Sequence, residues 1–245
     1  MEELELRDNQ FKEVPCLAAF TRLRYLELSY NEIRSLAPLS SLTAPHLTEL
    51  YAASNKVTTI EGLSQLASLR LLELGSNRIR AVEGLGALTC LRELWLGRNR
   101  IAELGEGLVP LASCLRRLSL QSNRLVSLAG LEACTALEEL YLSHNGIDSL
   151  AGVDGLVNLR ILDVANNRLT SLEGVGGLQQ LTDLWANDNQ IGSLDDVESA
   201  LAAQRPTLSC LYLKGNPCAG GNDYRLRMQH LMPQLEQLDD LPIAK

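Results

Sequence analysis

The chain has 245 residues, of which 30 are acidic and 22 are basic, so that its formal net charge is −8. This acidic balance disfavours nucleic-acid binding, because phosphates are bound by Lys and Arg side chains that displace counterions. Polar residues interrupt every apolar run before it reaches the roughly 18 residues of a membrane span, and the residues after Met1 do not follow the pattern of a signal peptide.

One sequence pattern, L-x-x-L-x-L-x-x-N-x-I/L, recurs along the whole chain. Its Asn falls at Asn9, Asn31, Asn55, Asn77, Asn99, Asn123, Asn145, Asn167, Asn189 and Asn216. A period of about 22 residues with this pattern is typical of leucine-rich repeats. The sequence therefore predicts an α/β fold class, a leucine-rich-repeat solenoid of horseshoe shape. We expect ten repeats over residues 1–216 and a C-terminal cap over residues 217–245.

Each repeat has two halves with different periodicity. In the first half, Leu69, Leu72 and Leu74 alternate as in a short strand whose leucines face the core. In the second half, apolar residues recur every third position, which favours 3₁₀ or short helical turns. We expect a concave parallel sheet on one side, short turns on the convex side, and a ladder of stacked Asn side chains that bind backbone groups of the turns.

The last part of the chain departs from the repeat in two places. Residues 195–205 are an insertion, in which Val197 and Leu201 predict a helix that stops before Pro206. A second, cap helix is expected to begin after Asn222 or Asp223 as N-cap. We expect its buried face to hold Tyr224, Met228 and Leu231, its end to lie at Pro233, and Leu235 and Leu238 to follow as a partial strand.

The outward position between the second and third Leu of each strand carries mostly aromatic and acidic residues. Down the chain it holds Glu5, Glu27, Tyr51, Glu73, Trp95, Ser119, Tyr141, Asp163, Trp185 and Tyr212. Exposed Trp and Tyr residues often carry the binding energy of protein interfaces. Cross-strand aromatic neighbours can also simply cover a sheet. Because the remaining positions are almost all acidic, the pattern favours a docking surface for a protein with Lys, Arg and apolar groups.

Nothing in the sequence indicates catalysis, a metal or a cofactor. Ser119, His144 and Asp163 lie on three consecutive repeats, but His144 is three residues further along its strand. This offset amounts to ~10 Å, which is too far for hydrogen bonding within a triad. The chain is therefore not expected to be an enzyme.

Six cysteines occur without a C-x-x-C pair. Cys90 and Cys114 precede the first Leu of adjacent strands, so their Cα atoms are expected ~5 Å apart, a distance that permits a disulfide. The absence of a framework spacing favours free thiols in a reducing cell interior.

Two stretches, Glu139–Ile147 and Trp185–Asn189, resemble the protein phosphatase 1 regulatory subunit 7 family, as do Glu73–Arg80 and Leu120–Leu125. The segment that follows Asn216 is similar to the cap of that family. The resemblance implies a non-catalytic regulatory subunit that binds the catalytic subunit of protein phosphatase 1 and modulates its activity or maturation. It also implies a location in nucleus and cytoplasm, and we expect a monomer in the unbound state.

The resemblance also implies which residues contact the partner. Together with Tyr141 from the outward positions, the predicted partner-binding residues are Glu27, Tyr51, Glu73, Trp95, Tyr141, Asp163, Asp183, Trp185 and Tyr212. An alternative remains open from another class of proteins. Shorter leucine-rich-repeat proteins with a similar cap act as structural adaptors, either as a dynein light chain or as a spliceosomal scaffold subunit.

Overall fold

The computed structural model describes residues 1–243. These residues form two compact units, which divide after Asn123. Unit 1 comprises Met1–Asn123, and unit 2 begins at Arg124. The predicted boundary between repeats and cap at residue 216 does not coincide with this division and stays a prediction.

Unit 1 is a solenoid whose strands form a parallel sheet. The strands are β1 (Glu3–Glu5), β2 (Tyr25–Glu27), β3 (Glu49–Tyr51), β4 (Leu71–Glu73), β5 (Glu93–Trp95) and β6 (Arg117–Ser119). Each strand pairs with the next one along the chain, in register from repeat to repeat. Short 3₁₀ helices at Ala37–Ser41 and Val109–Leu111 lie between strands.

Unit 2 repeats this arrangement and adds helices. Its strands are β7 (Glu139–Tyr141), β8 (Ile161–Asp163), β9 (Asp183–Trp185), β10 (Cys210–Tyr212), β11 (Gln237–Leu238) and β12 (Leu241–Pro242). The pairs from β7 to β11 are parallel, whereas β12 is antiparallel to β11. The helices are α1 (Leu194–Ala200) and α2 (Tyr224–Leu231), with 3₁₀ helices at Val175–Gly177, Ala202–Gln204 and Pro217–Gly220. The predicted fold class of a parallel-sheet leucine-rich-repeat solenoid is confirmed.

The helix in the insertion is shorter than the sequence predicts. Ser193 caps α1, because its Oγ accepts a hydrogen bond of 3.1 Å from the backbone N–H of Asp196. The α-helix ends at Ala200, and a 3₁₀ helix continues the chain to Gln204. Val197 and Leu201 are both buried, as the spacing predicted.

The cap helix α2 has the predicted buried face. Tyr224, Met228 and Leu231 are all buried. Asp223, one of the two predicted N-cap residues, takes the N-cap position, but it has helical backbone angles and its carboxylate makes no capping bond. Leu238 follows in β11, a short strand parallel to β10.

The core of each unit is a ladder of inaccessible leucines. Leu50, Leu72 and Leu94 of unit 1 face one another in register and have no solvent-exposed surface. Leu140 and Leu162 take the same places in unit 2. Burial of one such side chain contributes about 1.5–3 kcal/mol, so the ladder is the main source of stability.

The predicted Asn ladder is present. Asn77 donates to the carbonyls of Leu74 at 2.9 Å and Gly75 at 3.2 Å, and to that of Ala52 in the preceding turn at 2.9 Å. Its Oδ1 accepts from the backbone N–H of Val57 at 3.0 Å. One side chain thus bonds four backbone groups, of which the three carbonyls also accept from other donors, whereas the N–H of Val57 has Asn77 as its partner.

A left-handed residue directly precedes the recurring Asn of each repeat, a feature that the sequence did not predict. Positive φ values between 54° and 58° occur at Asp8, Tyr30, Ser54, Ser76, Arg98, Ser122, His144, Asn166, Asp188 and Asp239. These residues lie beyond the last residue of the preceding strand, where the left-handed conformation turns the chain sharply away from the sheet.

Candidate functional site

The aromatic residues at the third strand position lie on the open sheet face, by which we mean the side of each sheet opposite the leucine ladder. Tyr51 and Trp95 in unit 1, and Tyr141, Trp185 and Tyr212 in unit 2, are half-buried. In unit 2 the ring centroids of Tyr141 and Trp185 are 6.4 Å apart with an interplanar angle of 47°. These rings form an apolar surface that is partly open to solvent.

Two of the predicted partner-binding acids are not exposed. Glu27 and Asp163 retain only 6% and 5% of their accessible surface. The Glu27 carboxylate accepts from the backbone N–H of Ser29 at 2.7 Å, and Asp163 accepts from that of Ala165 at 3.1 Å. The expectation that both acids stand exposed is therefore wrong, because each carboxylate bends back onto the end of its own strand.

Glu73 also accepts a hydrogen bond from the backbone N–H two residues further along, and its pKa is shifted by this bond and by burial. Its Oε1 accepts from the backbone N–H of Gly75 at 2.7 Å. Burial raises the pKa of Glu73 to about 7, the hydrogen bond from Gly75 opposes this rise, and the negative charge of Glu27 adds to it. Glu73 is thus a carboxylate that titrates near neutral pH beside Tyr51 and Trp95, its partners in register.

An open pocket of about 970 Å³ lies on the open sheet face of unit 2. Its lining includes Trp185 and Tyr212, the backbone-bound Asp163, and the half-buried Asp183 and Cys210. Of the remaining lining, the charged residues are Asp188, Asp240 and Lys214, and the Lys214 ammonium pairs with the Asp240 carboxylate. The pocket therefore combines aromatic walls with an excess of negative charge.

Trp185 has an unsatisfied polar atom. Its indole N–H is buried and makes no hydrogen bond among the described residues. The indole lies close enough to the Cys210 thiol to lower its pKa, although burial of that thiol outweighs this effect and raises the pKa, as does the nearby Asp183. A buried N–H with only a weak sulfur acceptor nearby is uncommon in a folded protein.

The acidic charge of the chain is concentrated in unit 2. Unit 1 has 14 acidic and 14 basic residues, whereas unit 2 has 16 acidic and 8 basic residues. The whole net charge of −8 therefore belongs to unit 2. A field of this sign attracts positively charged groups towards unit 2.

Unit 1 also has a depression on its open sheet face, but its charges are of mixed sign. Arg24, Arg70 and Arg92 line it together with Glu49 and Glu93. Its volume is about 630 Å³. The Tyr51 hydroxyl donates to Glu49 at 2.9 Å, which together with burial raises the pKa of that phenol. The mixture of signs makes this face less selective for cations than the pocket of unit 2.

Ser119, His144 and Asp163, which were considered as a catalytic triad, have other roles in the structure. The Ser119 hydroxyl is buried and donates to the Gln121 side chain at 3.2 Å. The Asp163 carboxylate is bound to its own backbone, as described above. His144 supplies one of the left-handed turns, at φ 57°. Among the described residues, no group of His, Cys, Asp and Glu has the arrangement of a metal site.

Neither a disulfide nor a membrane-spanning helix occurs in the part of the chain that the structure describes. All six cysteines are free thiols, of which Cys90 is exposed and Cys114 is buried. Burial raises the pKa of the Cys114 thiol, so it is less reactive than an exposed cysteine. No helix within residues 1–243 combines the length and the apolar character needed to cross a bilayer.

Two sequence models of the repeat match three ranges of the chain. The family described as "Leucine rich repeat" matches residues 21–79. The family described as "Leucine Rich repeats (2 copies)" matches residues 115–155 and 157–199. Together with the parallel-sheet solenoid, these matches define the chain as a leucine-rich-repeat protein.

Solved structures of other repeat proteins share the fold. The chain is similar to a leucine-rich-repeat protein of Leptospira interrogans, with a TM-score of 0.82 and 28% identity over 96% of this chain and 60% of that one. It is also similar to internalin C2 of Listeria monocytogenes, with a TM-score of 0.65 and 32% identity over 76% of this chain and 77% of that one. The functional domain of InlJ from the same organism, at 22% identity and a TM-score of 0.76 over 98% of this chain and 48% of that one, shares the fold alone.

One curated relative has a name that describes an activity. A stretch of 75 residues is 48% identical to the "Protein phosphatase 1 regulatory inhibitor subunit PPP1R7 homolog" of Arabidopsis thaliana. The matched stretch is 31% of this chain and 23% of that protein. The relative is therefore matched over much less than two thirds of its length.

Proposed function

We propose that the chain is a non-enzymatic regulatory subunit that binds the catalytic subunit of protein phosphatase 1 and modulates its activity. The observation that carries the proposal is the pocket of unit 2, which Trp185, Tyr212 and Asp183 line, with the Tyr141 ring packed against Trp185. Aromatic anchors surrounded by charged groups are typical of protein-binding surfaces.

The choice of partner is supported by the stretch that resembles the phosphatase regulator of Arabidopsis thaliana. The negative charge of unit 2 adds a requirement, since a partner must present basic groups to this surface. Trp185 and Tyr212 supply apolar contact area, and Asp183 supplies a half-buried charge. In unit 1, Tyr51, Glu73 and Trp95 remain predicted contact residues.

The experiment is a calorimetric titration of purified phosphatase catalytic subunit with the wild-type chain and with Trp185→Ala. Truncation of a central interface Trp costs about 2 kcal/mol, so the variant is expected to bind roughly thirtyfold more weakly. Gln179→Ala is the matched control, because Gln179 is exposed in the turn that precedes the same strand. Wild-type affinity in Trp185→Ala would place the docking surface elsewhere.

Loss of binding counts only if the variant is folded. Trp185 is half-buried and its indole N–H is unsatisfied, so its removal leaves no backbone group without a partner. We expect the thermal unfolding midpoint of Trp185→Ala to stay near that of wild type. A large drop would identify the ring as a structural cover of the sheet.

A structural adaptor without a phosphatase partner remains the competing proposal. The general repeat matches and the bacterial repeat structures fit an adaptor as well as a phosphatase regulator. Capture of partners from a cell extract, probed for phosphatase catalytic subunit and for axonemal and splicing proteins, separates the two. We further propose that the protein acts in nucleus and cytoplasm, which imaging of the tagged chain tests.

A further inference from the structure

A three-strand arrangement of side chains occurs twice on the open sheet face, once in each unit and 90 residues apart. At the first and third strand positions, each copy carries an acid and an aromatic residue, then an aliphatic residue and an acid, then an acid and Trp. Copy 1 is Glu49, Tyr51, Leu71, Glu73, Glu93 and Trp95, and copy 2 is Glu139, Tyr141, Ile161, Asp163, Asp183 and Trp185.

The two copies share their internal hydrogen bonds. The hydroxyl of the tyrosine donates to the glutamate two residues before it at 2.9 Å in both copies, from Tyr51 and from Tyr141. The central carboxylate, Glu73 or Asp163, accepts from a backbone N–H two residues further along. The repetition therefore extends from sequence to geometry.

The copies differ in what stands beside the last acid. In copy 1 the register partner of Glu93 is Arg117, whose guanidinium donates to the Glu93 carboxylate at 2.8 Å. In copy 2 the register partner of Asp183 is Cys210. Asp183 accepts from the Thr182 hydroxyl at 2.6 Å, and no cationic side chain among the described residues forms an ion pair with it.

The Trp residues follow the same difference. The indole N–H of Trp95 donates to the carboxylate of Glu93 at 3.3 Å, so acid, Trp and Arg117 form one connected group. Asp183 has a shorter side chain, and the indole N–H of Trp185 is left without a hydrogen bond. Copy 1 is internally satisfied, whereas copy 2 has an acid without a cationic partner at the edge of an open pocket.

We infer that copy 2 is a recognition site for an arginine side chain of the partner, bound at the place that Arg117 occupies in copy 1. Copy 1 is the same site, closed by the chain's own arginine. The inference rests on the proposed function in so far as the arginine belongs to the phosphatase partner. A planar guanidinium fits both components of the site, since it forms paired bonds with a carboxylate and stacks on aromatic rings.

Charge supports the same assignment. Copy 2 lies in the unit that carries the entire net charge of the chain, and the one lysine that lines its pocket is already paired with Asp240. The Lys214 charge is therefore already compensated, and a basic segment can enter the pocket without repulsion from it. In unit 1, the guanidinium of Arg117 and the arginines that line its depression oppose the approach of a second cation.

The chain contains only two Trp residues, one in each copy, so their indole N–H signals report on the two copies separately. The experiment is a ¹⁵N–¹H NMR titration of the full chain with N-acetyl-L-argininamide at low ionic strength, where ion pairs are least screened. In the wild type we expect a saturable shift of the Trp185 signal and no shift of the Trp95 signal. The uncharged analogue N-acetyl-L-citrullinamide is expected to shift neither.

Exchange of the two register partners gives opposite results in the two copies. Cys210→Arg should abolish the shift of the Trp185 signal, and Cys210→Ser, the matched control, should retain it. Arg117→Cys should open copy 1 and produce a saturable shift of the Trp95 signal. Asp183→Asn removes the charge with little change of volume and should also abolish the Trp185 shift. This variant replaces Cys210→Arg in the test if Cys210→Arg does not fold.

Several outcomes would overturn the inference. These are a wild-type Trp185 signal that does not move, an equal response to the citrulline compound, or a Trp185 shift that persists in folded Cys210→Arg. Because the probe is a single amino-acid derivative, its failure leaves the phosphatase titration unaffected. Conversely, if the chain binds the arginine compound but not the phosphatase, the arginine site is supported and the proposed partner is wrong.

Discussion

The carboxylate of Glu73 accepts a hydrogen bond of 2.7 Å from the backbone N–H of Gly75, two residues along the same chain. The same relationship joins Glu27 to Ser29 and Asp163 to Ala165. In each case the residue that donates the N–H is small, which leaves room for the carboxylate over the end of the strand. Acids on the open sheet face thus stabilise the turn that follows them.

The first prediction concerns the pH dependence of Glu73. Its folded pKa is raised from 4.5 to about 7, so its contribution to stability is fully present below pH 4.5 and is lost as the pH rises through 7. Glu73→Gln retains an oxygen acceptor for Gly75 and removes the charge. We expect the variant to be more stable than wild type at pH 8 by roughly 1–3 kcal/mol, and equally stable near pH 4.

Urea unfolding at a series of pH values measures this difference. Glu83→Gln is the control, because it changes the same charge at an exposed position. If the Glu73→Gln and wild-type curves run parallel from pH 4 to pH 8, the carboxylate of Glu73 is ionised at no cost and its environment is more polar than described.

The second prediction concerns a glycine that no other residue can replace. Gly84 has φ 70°, and a Cβ atom at this position would lie 2.0 Å from the carbonyl oxygen of Ile60. Gly105 also has a positive φ, of 54°, but a Cβ there meets no atom within 4 Å. We expect Gly84→Ala to cost about 3 kcal/mol or more, and Gly105→Ala only the ~1–2 kcal/mol of the left-handed conformation.

Thermal unfolding of the two variants checks this order. Because both substitutions carry the same backbone penalty, their difference isolates the clash with Ile60. Equal midpoints would mean that the turn at Gly84 shifts freely away from the preceding turn.

The third prediction concerns the Asn ladder. Asn77→Ala removes four hydrogen bonds and leaves the buried backbone N–H of Val57 without its partner, while the three carbonyls keep other donors. We expect a loss of about 3 kcal/mol, because one buried N–H is left unsatisfied and three further hydrogen bonds are lost. Asn9, which is exposed and donates only to Leu6 and Arg7, is the comparison. Asn9→Ala should cost less than about 1 kcal/mol in the same denaturant titration.

Most of the fold could be predicted from the sequence, because one interaction set is repeated many times. A leucine spacing such as that of Leu69, Leu72 and Leu74 defines the inward face of a strand, and one Asn per repeat defines the turn. The cap helix was predicted with its buried face and with Asp223 as a candidate N-cap, but the missing capping bond was not predicted, since that bond depends on the backbone angles of a single residue.

The candidate site was predicted less completely. Alternation along a strand indicates that Glu27 and Asp163 point outward, but it does not show that neighbouring side chains cover them. A signal was available, because an acid followed two residues later by Ser, Gly or Ala marks each carboxylate that bends back. The roles of Arg117 and Cys210 depend on which residues face each other across strands, and only the register supplies this information.

The Asn ladder has a direction, which matters while the chain is being made. Asn77 binds groups that precede it by 20 and 25 residues, so a turn receives its last hydrogen bonds only after the following turn has been synthesised. On the ribosome, the newest turn of a growing chain is therefore always incompletely bonded. Near the end of the described residues, a side chain replaces the next strand's backbone carbonyl, since the Asp239 carboxylate accepts from the backbone N–H groups of Leu213 and Lys214 at 2.7 and 2.8 Å.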